Sequence, residues 1–223
     1  MHCTAEILAQ LKEIGVAPGM DLLVHSSLRR LGSVDGGADA IIDTLLAAIA
    51  PDGTLMMSTV SGNVNADQTA FHVAHTPSTV GALTNVFRQR PNAIRSLHPV
   101  HSIAAIGPKA KFFTEGHLEA RTPWSAESPY RKLMSSEGFI LFLGTDFSAN
   151  TCIHAIEIEA REIVAGVERK DPRSIARRGW RRHRGLRMTI GHARGPELTL
   201  PEFLARLGGK TQDMEAILTK TAV

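Results

Sequence analysis

The sequence predicts an α/β fold: a single domain with a mixed, largely parallel central sheet flanked by helices. Three observations predict it. A strand, a helix and a second strand follow one another with short connections between residues 22 and 57, the pattern of a parallel βαβ unit. A strongly apolar strand at 139–143 is followed by a further helix beginning near Thr151. The composition, 223 residues with 43% hydrophobic and 21% charged, is that of a folded domain and not of a disordered chain. At this length one large domain is the default, and about 70% of the unfolded surface can be buried.

Residues 4–14 read as a helix, with Thr4 as N-cap, Ile7, Leu8 and Leu11 on one face, and Gly15 as the stop. Pro18-Gly19 turns the chain into the strand Leu22-Leu23-Val24, which ends in His25-Ser26-Ser27. A glycine-containing loop, Gly32 to Gly37, leads to a helix over 38–50 with Ile41, Ile42, Leu45, Leu46 and Ile49 on its apolar face. Pro51-Asp52-Gly53 is a turn before the strand Leu55-Met56-Met57. Residues 58–77 are irregular and polar, the kind of long loop that carries function. A helix over 79–89 and a strand over Ser102–Ile106 follow. Ser128-Pro129 is a helix start, Ser at N-cap and Pro at the first helical position. Beyond residue 170 the periodicity weakens, with a short helix expected over Leu200–Leu207. The chain thus divides into a core at 1–170 and an Arg-rich, divergent segment at 171–223, packed on the core or appended to it.

The net charge of +3 hides a split. Residues 172–196 hold eight Arg and no Asp, Glu or Lys, so the remaining residues sum to −5. No apolar run reaches the ~20 residues of a membrane span. The first residues lack a signal-peptide core, and two cysteines, Cys3 and Cys152, imply no disulfide framework. A cytoplasmic setting without membrane partners is expected.

Three segments could carry chemistry. His25-Ser26-Ser27-Leu28 and Gly36-Gly37 place small residues before a helix, whose first N–H groups suit an anion such as a phosphate-bearing cofactor. A simple chain reversal has the same pattern. Arg95-Ser96-Leu97-His98-Pro99-Val100-His101-Ser102 concentrates an Arg, hydroxyls and two His, and reads either as a site or as a loop of satisfied polar groups. His98/His101 and His72/His75 share H-x-x-H spacing, but in an extended loop that spacing does not converge two imidazoles. Thr151, His154 and Glu157 lie on one helix face, i and i+3 bringing His154 and Glu157 together as a general base with its carboxylate, or as a surface ion pair. Cys152 points away from His154 and reads as a small packed residue.

Together these segments resemble the aminoglycoside 3-N-acetyltransferases, an antibiotic acetyltransferase family distinct from the GNAT fold. The matching pieces run in order: His25 to Leu28, Gly32 to Gly37, Pro51 to Leu55, Thr76-Pro77 with Gly81 and Phe87-Arg88. Arg95-Ser96 with His98-Pro99, Ser102 to Gly107, Ser128-Pro129, Leu143-Gly144 and Asn150-Thr151 with His154 and Glu157 complete the series. The resemblance covers about residues 3–165. It implies transfer of acetyl from acetyl-CoA, as co-substrate, to an amine of an aminocyclitol antibiotic in a ternary complex. By that analogy Ser26, Ser27, Leu28, Val34, Gly36 and Gly37 line the CoA path with Ser96 nearby. His154 is the general base. Glu157 orients it or holds the cationic acceptor, the Thr151 hydroxyl or a backbone N–H serves the oxyanion, and His98 and Asp146 meet the substrate. No metal is required. A homodimer is compatible with the resemblance, and nucleic acid is not an expected partner.

The chain departs from the family in three places. Ser148 stands where members carry an acid six residues before the catalytic His, with Asp146 two residues earlier. The segment 58–71 is short. The C-terminal part, acid-rich in the family, turns into the Arg-rich stretch, which would repel a polycation. That stretch also reads as a solvated loop or helix face, a clamp for CoA phosphates, a nonspecific nucleic-acid contact with Trp180 for stacking, or a poorly folded tail. A member that binds CoA but acts on another amine, or that is catalytically impaired, fits the same residues. Two further readings stay open. One is a metal-dependent hydrolase using His98, His101 and His154. The other is a binding module for acyl-CoA or nucleic acid without catalysis.

Overall fold

The computed structural model describes residues 2–62, 71–164, 181–182 and 188–192. In chain order the elements are α1 (Thr4–Glu13), β1 (Asp21–Ser26), α2 (Leu28–Leu31), α3 (Gly37–Ile49), β2 (Thr54–Ser58), α4 (Ala82–Arg88), β3 (Ile94–Arg95), β4 (Ile103–Ile106) and α5 (Ala110–Thr114). They continue with α6 (Pro129–Ser135), β5 (Phe139–Leu143), a 3₁₀ turn at Phe147–Ala149, α7 (Ile153–Val164), β6 (Arg181–Arg182) and β7 (Met188–His192). The seven strands form one sheet in the order β3-β4-β2-β1-β5-β7-β6.

The expected mixed sheet is present, parallel over its three central strands and antiparallel in its four outer pairings. β1 pairs in parallel with β2 on one side and with β5 on the other. β4 runs antiparallel to β2, and β7 antiparallel to β5. The central strands are buried along nearly their whole length, with apolar middles and polar ends, because helices cover both faces. Alternate side chains point to opposite faces. Leu22, Val24, Leu55, Met57, Leu141 and Leu143 pack with Ile7 and Leu11 of α1, Ile41, Ile42 and Leu45 of α3, and Phe87 of α4. Leu23, Met56, Ile140 and Phe142 pack with Phe113 of α5, Tyr130 and Leu133 of α6, Cys152 just before α7 and Ala155 of α7.

Local signals place most elements correctly. Ser128 caps α6, its Oγ accepting from the Arg131 N–H at 3.2 Å, with Pro129 in the first turn. Thr4 is instead the first helical residue, and the cap position is Cys3. The short elements α2, β3 and α5 have no periodicity long enough to read from the sequence. The loop or helix-face reading of the Arg-rich stretch is corrected where the structure describes it: Arg181–Arg182 and Met188–His192 are strands that extend the sheet from β5. The same sheet therefore continues past residue 170. The remainder of that stretch, Trp180 included, and the helix expected over 200–207 lie outside the described residues.

Candidate active site

β1 has parallel neighbours reached by connections in opposite directions, so a crevice opens beyond the carboxyl ends of β1, β2 and β5. Ligands of open α/β sheets bind at such switch points. The backbone there is tightly built. The Ser27 N–H donates to the Leu143 carbonyl at 2.9 Å, tying the end of β1 to the end of β5. Gly144 follows with φ +69°, and a Cβ on it would stand 2.5 Å from the Ser27 carbonyl oxygen. Both the left-handed backbone and the close approach require glycine.

Ser26, Ser27 and Leu28 are half-buried along this edge. Gly36, at φ +73°, is the residue before α3, and Gly37 opens that helix. Val34 is held from outside: the His2 N–H donates to Ser33 O at 2.8 Å and the Asp35 N–H to His2 O at 3.0 Å. Val34 packs on the core beneath α3. Thus one strap and two glycines present the start of a thirteen-residue helix, with the unpaired N–H groups and positive dipole end that favour an anion.

Ser96, expected nearby, lies elsewhere. β3 is three strands from β1, about 14 Å at ordinary strand spacing. Ser96 is 1% exposed, and its Oγ accepts from the Ile103 N–H at 2.9 Å and meets His117 Nδ1 at 2.8 Å. This hydroxyl supports His117 and is not open to CoA.

His154 stands on the first turn of α7, placed there by an Asn150 turn whose Oδ1 accepts from the Cys152 N–H at 3.0 Å. Its Nδ1 is 3.0 Å from Glu157 Oε2, and about half of its side chain is exposed. A carboxylate only accepts, so Nδ1 carries the hydrogen and a neutral His154 keeps its Nε2 lone pair. Thr151 is half-buried, and its backbone carbonyl accepts from the His154 N–H at 3.3 Å. Asp146 starts the 3₁₀ turn, its Oδ1 accepting from the Ser148 N–H at 3.0 Å and from the Ser148 hydroxyl at 2.5 Å. Cys152 is fully buried, and burial pushes its thiol pKa far up, as suits a packed residue.

A run of rings unforeseen in the sequence ends at His154. Ring centroids are 4.8 Å apart for His117 and His98, 6.0 Å for His98 and His101, 4.8 Å for His101 and Trp124, and 4.8 Å for Trp124 and His154. His98, expected to meet substrate, uses Nδ1 to accept from the N–H groups of Val100 at 3.2 Å and His101 at 2.9 Å, so it caps its own turn. The rings lie tilted against one another, by 35° to 55°, and do not converge: among the described residues no three His, Cys, Asp or Glu side chains gather as metal ligands. Trp124 carried only a weak sequence signal, one of two tryptophans, just before the Ser128-Pro129 helix start.

Arg95 also serves the site without facing it. Its guanidinium is 6% exposed and binds the segment that follows β2. Burial, with the like charge of Arg88 second, lowers its pKa to about 10, so it stays charged near neutrality.

Two buried imidazoles set the acid limit of the fold. Burial lowers His25, stacked on Phe142, and His117, which donates from Nε2 to Pro123 O, to pKa values of about 4. Unfolded, each would titrate near 6.5. The unfolded chain therefore binds more protons between those values, and stability falls as pH drops from 6.5 towards 4, by about 1–3 kcal/mol for each ring. Melting temperatures across pH 7.5 to 4 should show this decline. A flat profile contradicts it.

A sequence profile of the family described as aminoglycoside 3-N-acetyltransferase matches residues 23–198. Aminoglycoside N(3)-acetyltransferase IV from Salmonella sp is 38% identical over 159 residues, which are 70% of this chain and 59% of that protein. The crystal structure of aminoglycoside acetyltransferase AAC(3)-IVa as apoenzyme superposes with a TM-score of 0.72 at 29% identity, covering 86% of this chain and 84% of that one. AAC-IIIb in its binary complex with CoASH superposes at 0.64 with 26% identity, covering 70% and 64%. The chain spans about three-fifths of the length of the curated relatives it matches.

Proposed function

Because the chain belongs to the aminoglycoside 3-N-acetyltransferase family, we propose that it transfers acetyl from acetyl-CoA to an amine of an aminoglycoside-like acceptor, in a ternary complex with His154 as general base. The observation that carries the reading is the His154–Glu157 pair, which leaves Nε2 free to take a proton. An amine is protonated near neutrality and attacks a thioester only after losing its proton. In the proposed reaction the proton passes from the amine to His154 Nε2. The nitrogen lone pair forms the new N–C bond, and the carbonyl becomes an oxyanion for the Thr151 hydroxyl or a backbone N–H to stabilise. The C–S bond then breaks and the electron pair leaves with the CoA sulfur. Glu157 fixes the tautomer of His154, the task that the residue at Ser148 cannot perform.

For CoA, the residues that fit are Ser26, Ser27, Leu28, Val34, Gly36 and Gly37, where small side chains and a helix start admit a phosphate-bearing chain. A structural relative, AAC-IIIb, is solved with CoASH, which supports CoA as the ligand class. We place the catalytic core in residues 1–170, with Arg181–Arg182 and Met188–His192 extending its sheet. The excess of acidic over basic residues outside the Arg-rich stretch suits a cationic acceptor. No helix among the described residues is long and apolar enough to cross a membrane.

Thiol release from acetyl-CoA, measured with a panel of aminoglycosides and simple amines, tests the reading. The expected result is release with at least one amine and intersecting initial-velocity lines. Release with simple amines alone would move the acceptor class. No release with any amine, together with no calorimetric binding of CoA up to millimolar concentration, overturns the proposal.

A further inference from the structure

The mechanism just proposed does not use Trp124, yet its ring lies against His154 at 4.8 Å and against His101 at 4.8 Å. The indole sits on a short loop pinned from several directions. The Trp124 backbone N–H donates to Thr122 Oγ1 at 3.3 Å, Thr122 and Ser125 hydroxyls meet at 2.9 Å, and the preceding Pro123 carbonyl accepts from His117 Nε2 at 3.1 Å. Ser128 closes the loop by donating its N–H to Ser125 O at 2.8 Å and then caps α6. The loop is therefore rigid, and the ring it carries is held in one place.

That placement leaves a polar group unsatisfied. Trp124 Nε1 is buried with no hydrogen-bond partner among the described residues, as is Nδ1 of His101. A buried donor without an acceptor costs stability, and a fold that keeps one calls for an explanation. A phenylalanine would fill the loop without that cost. The indole is thus placed by its ring contacts, tilted 51° to His154 and 52° to His101, and not by its N–H.

The geometry points to Trp124 as a positioning residue that clamps the His154 ring in the rotamer where Nδ1 meets Glu157. This inference rests on the base role of His154. His154 needs such a clamp because it is half-exposed on the first turn of a helix, where one hydrogen bond to a half-exposed carboxylate does not fix a ring. The groups facing it are Glu157 on its own helix, Trp124 from the 122–128 loop and His101 from the loop between β3 and β4. His101 stays neutral through burial, and through the like charges of His98 and His154, so it adds no competing cation beside the base.

The test compares wild type with Trp124→Phe and Trp124→Leu in the full chain. Circular dichroism checks that each variant folds. Trp124→Phe keeps a ring face and loses the orphan N–H. It should retain kcat within a few-fold and melt no lower than wild type. Trp124→Leu removes the face. It should lower kcat by about 10²-fold, the scale of a small misplacement of a reacting group, with KM for acetyl-CoA within twofold. If Trp124→Leu does not fold, Trp124→Met carries the same comparison. A second readout is independent of turnover. In wild type, ¹⁵N NMR of neutral His154 should show hydrogen on Nδ1; in Trp124→Leu the ring should shift towards the Nε2–H tautomer that free imidazole favours. An unchanged tautomer together with an unchanged kcat in the Leu or Met variant overturns the clamp. Should His154→Ala prove fully active, the base role falls. The tautomer shift on losing the indole face then still decides whether Trp124 holds the ring.

Discussion

His154→Ala is expected to lower kcat by about 10²–10⁴-fold with every accepted amine, the range that a positioned general base supplies. CoA binding, measured by calorimetry, should stay within a few-fold, because the proposed CoA edge at Ser26 to Leu28 and Gly36-Gly37 lies on other elements. The fold should be indifferent, since His154 is half-exposed and, among the described residues, its one hydrogen bond from the ring goes to a half-exposed Glu157; surface changes of this kind move stability by about 0.5 kcal/mol or less. Loss of activity without loss of fold is therefore the signature to look for. Glu157→Gln should cost less, about tenfold, because the amide oxygen can still accept from Nδ1 but no longer carries charge to stabilise the imidazolium. A His154→Ala enzyme matching wild type with any accepted amine contradicts the assignment.

Arg95→Leu is expected to destabilise the protein by about 3 kcal/mol or more, without touching a reacting atom. The guanidinium donates from Nε to Thr59 Oγ1 at 3.2 Å and Ser102 Oγ at 3.0 Å. From Nη1 it reaches Val73 O at 3.1 Å and Thr76 O at 2.5 Å, and from Nη2 Thr59 O at 2.9 Å and Ser61 Oγ at 3.4 Å. The Phe71 ring lies 4.9 Å from its central carbon. Leucine would deprive the part-buried carbonyl oxygens of Val73 and Thr76 of this donor and leave Thr59 O only the Ser102 hydroxyl, each lost bond a desolvation penalty. The effect reaches the site because Thr59 and Ser61 follow β2 at the crevice end, so the acceptor KM should rise alongside the loss of stability. Lysine keeps the charge but not the planar fork that serves five donors at once, and Arg95→Lys should recover only part of the loss. Urea unfolding of the three proteins reads the series; a change under about 1 kcal/mol for leucine contradicts the latch.

Much of the frame is readable from residues near one another in the chain. The period of apolar positions marks α1, α3 and the three central strands. Ser128-Pro129 announces the start of α6, and the i, i+3 spacing brings Glu157 to His154. What spacing could not tell is which of two plausible polar clusters faces the crevice. The eight residues from Arg95 to Ser102 read as a site because their polarity is concentrated. Ser96 and Arg95 spend it on neighbours, His117 and the backbone after β2, whereas His98 caps its own turn through Nδ1 and stays in the run of rings that reaches His154. A polar group that is satisfied internally and one that waits for a ligand have the same letters.

The sequence settled what depends on short range: where strands and helices lie, which of their faces are apolar, and the family of the chain through an ordered series of local motifs. Sheet order and the company kept by His154 were settled by folding alone. β5 comes to lie beside β1 only because helices on both faces bury the apolar middles of the strands. That pairing sets Gly144 against Ser27, and α7 leaves from the same edge. His101, Trp124 and His154 come from three separate loops and helices that share no periodicity. Their contact exists only after the second core, around Phe113, Tyr130 and Phe142, has packed. Side-chain contacts between distant segments are set by the geometry of packing, and no spacing rule along the chain encodes them.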